Sequence, residues 1–535
     1  MKFLLGSLPA IALVLTGCAN DGTPATDESS STDPTTSTSP STTIDPATTA
    51  TTESSSSAVA DTSTGEVIDV QVDITTYPEQ PMVVDVLVTL SEPGDVVLTH
   101  AGDPGVLVLP HGESTETEHR YRARGLAPDT LHTLHWEVTP TGDVGPLAGD
   151  TDFMAEAALP GFIGAFVLET TNVQPSPLYR LSDWNPWPAD TFAGAMVVDS
   201  TGVTRWYMSA PTTLIGPPAV WVGIKLRDDG TIVYCENDTF WIRDEMGAVI
   251  SEIPAADLTL PGGRNAGIGV LHHDVHELPN GNFMAISMSF QDVEYDDLGV
   301  THVVGDTLVE FTPEGEVVWL WDSFDHLDPQ RRRENFADPI VDPLTGMTAA
   351  DWTHANGFVY DDENQTITLS MRHQDWIIQI DRATDEVIWR LGDGGDFELA
   401  DGDRWFFHQH SPQWQPDGSL LLYDNGNGNP DIPAADQRSR AVRYVLDFDA
   451  MSAEVAWQDN EPDLQVAFAG DADVIEGGHI LVTDSGIFTK ESLRSRVREL
   501  EVGQDPETVW SMQTPLGRWI YRTTAHPRIV GLPAE

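Results

Sequence analysis

The 535-residue chain is 40% apolar with a mean hydropathy of −0.22, the balance of a soluble globular protein. Its 85 acidic residues face only 27 basic ones, a formal net charge of −58, which argues against nucleic acid and anionic membrane surfaces as partners. Lysine is confined to Lys2, Lys225 and Lys490, so a buried group of arginine and histidine would stand out as a place for an anion.

At the N-terminus, Lys2 precedes an apolar run from Phe3 to Thr16 and then Leu15-Thr16-Gly17-Cys18. A charged start, a short apolar core and small residues before a cysteine predict a lipoprotein signal peptide over 1–18, with Cys18 lipidated after cleavage. The apolar stretch is too short to span a bilayer. The plain alternative is an ordinary signal peptide with an incidental cysteine. Ala19 is not the aspartate that favours inner-membrane retention, so the expected place is the cell envelope, lipid-anchored at the outer membrane, with the anchor the sole membrane contact. Cys235 is the one other cysteine, so no internal disulfide is expected unless Cys18 stays unmodified.

Residues 19–66 are Ser, Thr, Asp, Pro and Ala with almost no large apolar side chains. Such a segment cannot bury enough surface to offset chain entropy, and it reads as a disordered tether. Over 67–158 short alternating strands follow, including Val67–Ile74, Val83–Val88, Thr117–Arg122 and Leu134–Val138. Their spacing, and the element Leu126-Ala127-Pro128-Asp129-Thr130 before a strand with Trp136, predict a small β-sandwich similar to fibronectin type III.

From 159 to 535 a repeat takes over: an apolar strand, a tight turn, a second strand and a strand near a tryptophan. The turns are Asp228-Asp229-Gly230, Pro279-Asn280-Gly281, Asp361-Asp362-Glu363-Asn364, Pro416-Asp417-Gly418 and Glu476-Gly477-Gly478. Closing strands lie near Trp206, Ile250, Trp319, Trp389, Trp457 and Trp510. About six units of roughly 45–70 residues predict an all-β chain ending in a six-bladed β-propeller, with two stacked sandwiches as the rival.

Aligning the units on their turns puts His273 six residues before Pro279, His410 six before Pro416 and His354 seven before Asp361. Equivalent positions in a propeller are related by rotation, so the three imidazoles should ring one mouth of the channel. Arg372 lies about as far after its turn as His354 lies before it, which sets the two across one hairpin. Asp424 and Asn425 stand likewise opposite His410, and Asn356 shares a strand side with His354. Alternation along the strands points the neighbouring His272 and His373 away. Imidazoles, a guanidinium and an amide suit an anion with tetrahedral oxygens. Taken singly, each residue has a bland reading: a capping or core histidine, an ion-paired arginine, and turn chemistry for Asp424-Asn425-Gly426.

The segments His272-His273-Asp274-Val275-His276-Glu277-Leu278-Pro279-Asn280-Gly281-Asn282, Asp351-Trp352-Thr353-His354-Ala355-Asn356, Leu369-Ser370-Met371-Arg372-His373-Gln374, Gln409-His410-Ser411 and Leu422-Tyr423-Asp424-Asn425-Gly426 resemble the motifs of bacterial arylsulfate sulfotransferases. The likeness runs from about 160 to Arg522. It implies a six-bladed propeller that moves sulfuryl from an aryl sulfate donor to a phenolic acceptor, without a nucleotide sulfate donor or other cofactor. It implies that His410 is transiently sulfated, that His273, His354 and Arg372 act in catalysis, and that Asn356, Asn425 and Asp424 contact substrate. No metal is implied. Relatives from enteric bacteria carry a disulfide that this chain cannot make, and the lipid tether replaces a free periplasmic form.

Two other readings stay open. His408 and His410 are spaced to share a strand face, as ligands of a metal would be. The propeller could also be a non-catalytic module that binds a ligand or partner at the envelope.

Overall fold

The computed structural model describes residues 51–60, 67–141, 145–158, 167–171, 173–186, 193–209, 221–236, 238–333, 336, 339–343, 345–459, 461–490, 492–503 and 506–533. The signal peptide with Cys18, and the tether over 19–50, lie outside the described residues.

The N-terminal unit is a sandwich of eight strands: β1 (Thr51–Ala60), β2 (Val67–Thr76), β3 (Val83–Leu90), β4 (Gly94–His100), β5 (Leu107–Pro110), β6 (Glu118–Arg124), β7 (Leu131–Pro140) and β8 (Leu147–Met154). One sheet runs β1-β2-β3-β6-β5 and the other β4-β7-β8. Lettering β2 to β8 as A to G gives A-B-E-D against C-F-G, the strand order of an immunoglobulin-type sandwich. Period-two alternation builds the core: Val70, Val72, Val86 and Val88 from one sheet meet Leu98, Leu134 and Trp136 from the other. One expectation is corrected here. β1 falls inside the segment read as disordered tether, yet it pairs antiparallel along the whole of β2, from Thr51 opposite Thr76 to Ala60 opposite Val67. Its Ser and Thr side chains lack apolar payload, but backbone hydrogen bonds to a preformed edge do not require any.

Beyond the sandwich the regular structure is again nearly all strand, built on successive four-stranded antiparallel meanders to which short extra strands such as Thr348–Asp351 and Glu398–Leu399 are added. The second unit is Trp221–Leu226, Ile232–Glu236, Thr239–Arg243 and Val249–Pro254; the third is Leu271–Glu277, Phe283–Tyr295, Gly299–Phe311 and Val317–Asp322. The fourth is Ala355–Asp361, Thr366–Met371, Trp376–Asp381 and Val387–Gly392. The fifth is His410–Trp414, Leu420–Asp424, Arg440–Asp447 and Ser452–Gln458, and the sixth Asp471–Val474, Ile480–Phe488, Leu493–Glu501 and Glu507–Gln513. The first unit, Tyr179–Pro186, Gly194–Val198 and Thr204–Ser209, takes its fourth strand from the far end of the chain: Thr523–His526 pairs with Tyr179–Ser182. The first strand of each unit packs beside the first strand of the next, and the sixth unit packs against the closing strand. The sheets are therefore curled into a propeller-like ring with the first strands innermost.

The turns expected from sequence close this ring's hairpins in a common way. In Leu278–Asn282 and in Gln415–Ser419 a glycine (Gly281 at φ +81°, Gly418 at φ +82°) holds the left-handed position, and backbone bonds join the flanking residues. That shared geometry aligns the two hairpins at their turns; nearer the axis His272 pairs with Ile286 and His410 with Tyr423, and His273 lies in the bulge between His272 and Val275. The sandwich is tied to the ring by Arg122 and Arg124 on Glu245, and by Arg205 on Asp103. No helix among the described residues is long and apolar enough to cross a membrane.

Candidate active site

The innermost strands do not run straight past the axis. Their pairing with the second strand shifts register between Val222 and Lys225, His272 and Val275, Ala355 and Gly357, and His410 and Gln413. Extra residues inserted at one height in four consecutive units bend each strand and re-aim its side chains, as β-bulges do. The cost is visible in the backbone. His273 (φ +58°), His354 (φ +48°), His408 (φ +54°) and Ser411 (φ +51°) all occupy the left-handed region without being glycine. Such residues cost on the order of 1–3 kcal/mol each and persist where packing over-determines them, commonly at functional sites.

His410 is buried, and its Nδ1 lies 2.7 Å from Asn425 Oδ1 and 3.2 Å from the His408 carbonyl. Asn425 cannot turn over, because its Nδ2 donates to the carbonyls of Val466 (3.3 Å) and Ala469 (2.9 Å). It therefore presents an acceptor, the proton sits on His410 Nδ1, and the lone pair is on Nε2. Burial, then the nearby Arg372 guanidinium, holds His410 well below the ordinary histidine range, so the ring is neutral near pH 7.

A second knot of side chains surrounds His354. Its Nδ1 is 2.5 Å from Asp351 Oδ2, and its ring lies against that of His373, 4.5 Å between centroids. Arg372 Nη1 donates to His373 Nε2 at 2.6 Å, which leaves the His373 proton on Nδ1, 3.2 Å from the Asp351 carbonyl and 3.3 Å from its Oδ2. Burial lowers His354, and the Asp351 carboxylate opposes that shift. The expectation that His373 points away is corrected: Arg372–Gln374 form a 3₁₀ turn, so the two-residue alternation of a strand ends at Met371. Arg372 does face His354, since its backbone N–H donates to the His354 carbonyl at 3.1 Å.

His273 joins the two knots. Its ring centroid is 5.0 Å from His354 and 5.8 Å from Tyr521, whose ring is in turn 6.3 Å from His410. Burial and the neighbouring imidazoles of His272, His354 and His410 hold His273 well below the usual range. His272, also expected to turn away, stands directly behind His273, with 2.6 Å between their Nδ1 atoms and Asp306 at 3.2 Å from its Nε2. The bulge after His272 breaks the alternation there. Asn356 is buried with Nδ2 donating to the Gln409 carbonyl at 2.7 Å and Oδ1 without a hydrogen-bond partner among the described residues. The structure thus brings together His273, His354, Arg372, His410, Asn356 and Asn425.

Asp424 is not part of this group. One of its carboxylate oxygens accepts from the Phe407 N–H (2.9 Å) and the other from Arg440 (2.9 Å), with Arg404 at 3.5 Å. Alternation sends it to the side of the strand opposite Asn425, so the substrate contact expected of it is replaced by a buried ion pair.

Several members escaped the sequence reading. Tyr521 and Arg522 come from the chain end that closes the ring, and Asp351, the last residue of the strand Thr348–Asp351, lies three residues ahead of His354. Tyr521 donates to the Asn356 carbonyl at 2.9 Å. Arg522 plugs the axis beneath the imidazoles, 3.0 Å from both Ser411 Oγ and Asp274 Oδ1; a Cβ on the adjacent Gly357 would come within 3.2 Å of it. Asp274 also accepts from Lys225 at 2.8 Å. A Tyr-Arg pair just after Trp519 at a closing strand was the available signal.

Asp351, His354 and His373 hold ligand atoms within 4.8 Å of one another, a set that could grip a divalent ion. The Arg372 guanidinium bonded to His373 places a fixed positive charge beside them and opposes a cation.

The family model described as Arylsulfotransferase (ASST) matches residues 168–522. Two relatives described as arylsulfate sulfotransferase AssT, from Escherichia coli and Lelliottia amnigena, are each 24% identical over 332 residues, covering 51% of this chain and 53% of theirs. The chain thus spans about half the length of the relatives it matches. Among solved structures, a hydrazine synthase of Kuenenia stuttgartiensis is similar with a TM-score of 0.33 and 11% identity over 67% of this chain and 98% of that one.

Proposed function

Because the chain belongs to the arylsulfotransferase family, matched over residues 168–522, we propose that it moves a sulfuryl group from an aryl sulfate ester to a phenolic acceptor through a sulfated His410. In this reading the six meanders are the six blades, and no nucleotide sulfate donor takes part.

The observation that carries the reading is the fixed tautomer of His410. With its proton held on Nδ1 by Asn425, Nε2 offers a lone pair on a neutral ring, which is the nucleophile this chemistry needs. In the first displacement the N–S bond forms at Nε2 as the bond from sulfur to the phenolic oxygen breaks. His354, which takes up a second proton beside the Asp351 carboxylate and the bound sulfate anion, delivers it from Nε2 to the departing phenolate. In the second, the acceptor phenol gives its proton back to His354 while its oxygen takes the sulfuryl group from His410. Arg372, with the second N–H of Asn356 Nδ2, holds the equatorial oxygens as charge shifts, and His273 lines the space between His354 and His410. No step requires a metal.

The reading predicts turnover of p-nitrophenyl or 4-methylumbelliferyl sulfate with a phenol acceptor. Failure of the purified protein to release phenol from either donor would favour a ligand-binding propeller. We further propose that Cys18 anchors the mature protein at the outer membrane; Cys18→Ala should shift it from the detergent phase to the aqueous phase on phase partitioning, and an unchanged distribution would contradict the anchor.

A further inference from the structure

We propose that Asp351 is a positioning residue that links Arg372, through His373, to the acid–base imidazole of His354, so that one carboxylate sets both the grip on the sulfuryl group and proton delivery to the leaving oxygen. This rests on the sulfuryl-transfer reading above.

The geometry is a continuous chain of four side chains. Arg372 Nη1 donates to His373 Nε2 (2.6 Å), His373 Nδ1 faces Asp351 Oδ2 (3.3 Å), and the same oxygen receives His354 Nδ1 (2.5 Å). Every tautomer along it follows from the next. Arginine can only donate, so His373 Nε2 accepts and its proton lies on Nδ1. Asp351 Oδ2 then faces two N–H groups at once. His354 is left with Nε2 free to carry a proton to the phenolate and to take one from the acceptor. A carboxylate behind an imidazole both orients the ring and stabilises its protonated form, the state in which it must begin the first displacement.

The local backbone is held by other groups. Asp306 Oδ2 accepts from Thr353 Oγ1 (2.5 Å) and the Ala355 N–H (2.6 Å), and Trp352 Nε1 donates to the Arg331 carbonyl (2.9 Å). The His354 segment is thus anchored independently, and the Asp351 carboxylate is directed at imidazoles. Asp351 is 3% exposed, and the desolvation cost of its carboxylate is offset by the two imidazole N–H groups that face it.

The test uses two donors that differ in need for an acid. Phenyl sulfate releases a basic phenolate that must be protonated, whereas p-nitrophenyl sulfate releases a stable one. Asp351→Asn keeps the shape but removes the charge. The expected result is a loss of kcat/KM with both donors, with the loss for phenyl sulfate larger by on the order of 10²-fold, the range of general acid catalysis. Asp351→Glu should recover part of that selective loss, while His373→Gln, which cuts the link to Arg372, should weaken both donors alike. Equal losses for both donors in Asp351→Asn, or no recovery in a folded Asp351→Glu, would overturn the proposal. Wild-type protein inert toward both donors would instead remove the sulfuryl-transfer reading, and this proposal with it.

Discussion

Asn425 Oδ1 lies 2.7 Å from His410 Nδ1, and the Asn425 amide is itself locked by the carbonyls of Val466 and Ala469. One loop of backbone, between Ser452–Gln458 and Asp471–Val474, therefore decides which nitrogen of one imidazole is nucleophilic. Asn425→Ala frees the ring to present the wrong tautomer. The expected outcome is a fall in kcat/KM of about 10²-fold or more with the fold intact by circular dichroism, as misassigned tautomers produce in other histidine-dependent sites.

The low proton affinity of His410 has a pH signature. Attack needs the neutral ring, and burial, with Arg372, His354 and Arg522 nearby, moves its titration well below 6.5. With p-nitrophenyl sulfate, whose leaving group needs no acid, kcat/KM should stay flat from about pH 8 to below 6.5 and fall only in more acid solution. An acid limb centred at or above 6.5 would show that His410 titrates as an exposed histidine.

Arg372 presents a planar fork with one nitrogen bonded to His373. Arg372→Lys keeps the charge but neither the fork nor that bond, and most activity should be lost, at least about tenfold in kcat/KM. Near-normal rates would reassign Arg372 to a structural role.

Asp274, 1% exposed, sits between Lys225 (2.8 Å) and Arg522 (3.0 Å) under the site. Burial alone would raise its titration, but those two cations outweigh it and hold Asp274 well below the usual carboxylate range. Asp274→Asn takes from the buried Arg522 and the half-buried Lys225 the carboxylate they share, leaving Asp471 at 3.8 Å from Arg522, and chemical denaturation should register a loss of about 3 kcal/mol.

If the imidazole cluster works without metal, chelators should leave turnover unchanged despite the closeness of Asp351, His354 and His373. Activity lost on chelation and restored by one divalent ion would install a metal centre there.

How far the site could be read from sequence depended on where local rules hold. Turn-to-histidine spacing is a local property of a hairpin, and it points to the neighbourhood that His273, His354 and His410 share, although bulges between turn and histidine leave the three at different pairing positions. Arg372 faces His354 across its hairpin as that spacing implies, whereas Tyr423 pairs opposite His410 and Asn425, two residues on, reaches the ring through its side chain. The rule of alternate sides failed at His272, His373 and their neighbours, because bulges and a 3₁₀ turn interrupt the pleat where the strands approach the axis. Asp424 was grouped with Asn425 although adjacent strand residues face opposite sides. Tyr521 and Arg522 reach the site only because the chain's last strand returns to pair with Tyr179–Ser182, a contact across more than 300 residues that no local pattern encodes. The strand β1 was missed for a related reason: its composition is that of a tether, and only the open edge of β2 gives it structure.

The most direct test of the account is mass spectrometry of protein quenched after mixing with an aryl sulfate in the absence of acceptor. A gain of about 80 Da, one sulfuryl group, on the peptide bearing His410, lost on adding phenol and absent in His410→Ala, is the expected result. Product formed by wild-type protein with no such adduct, or normal turnover by His410→Ala, would contradict it.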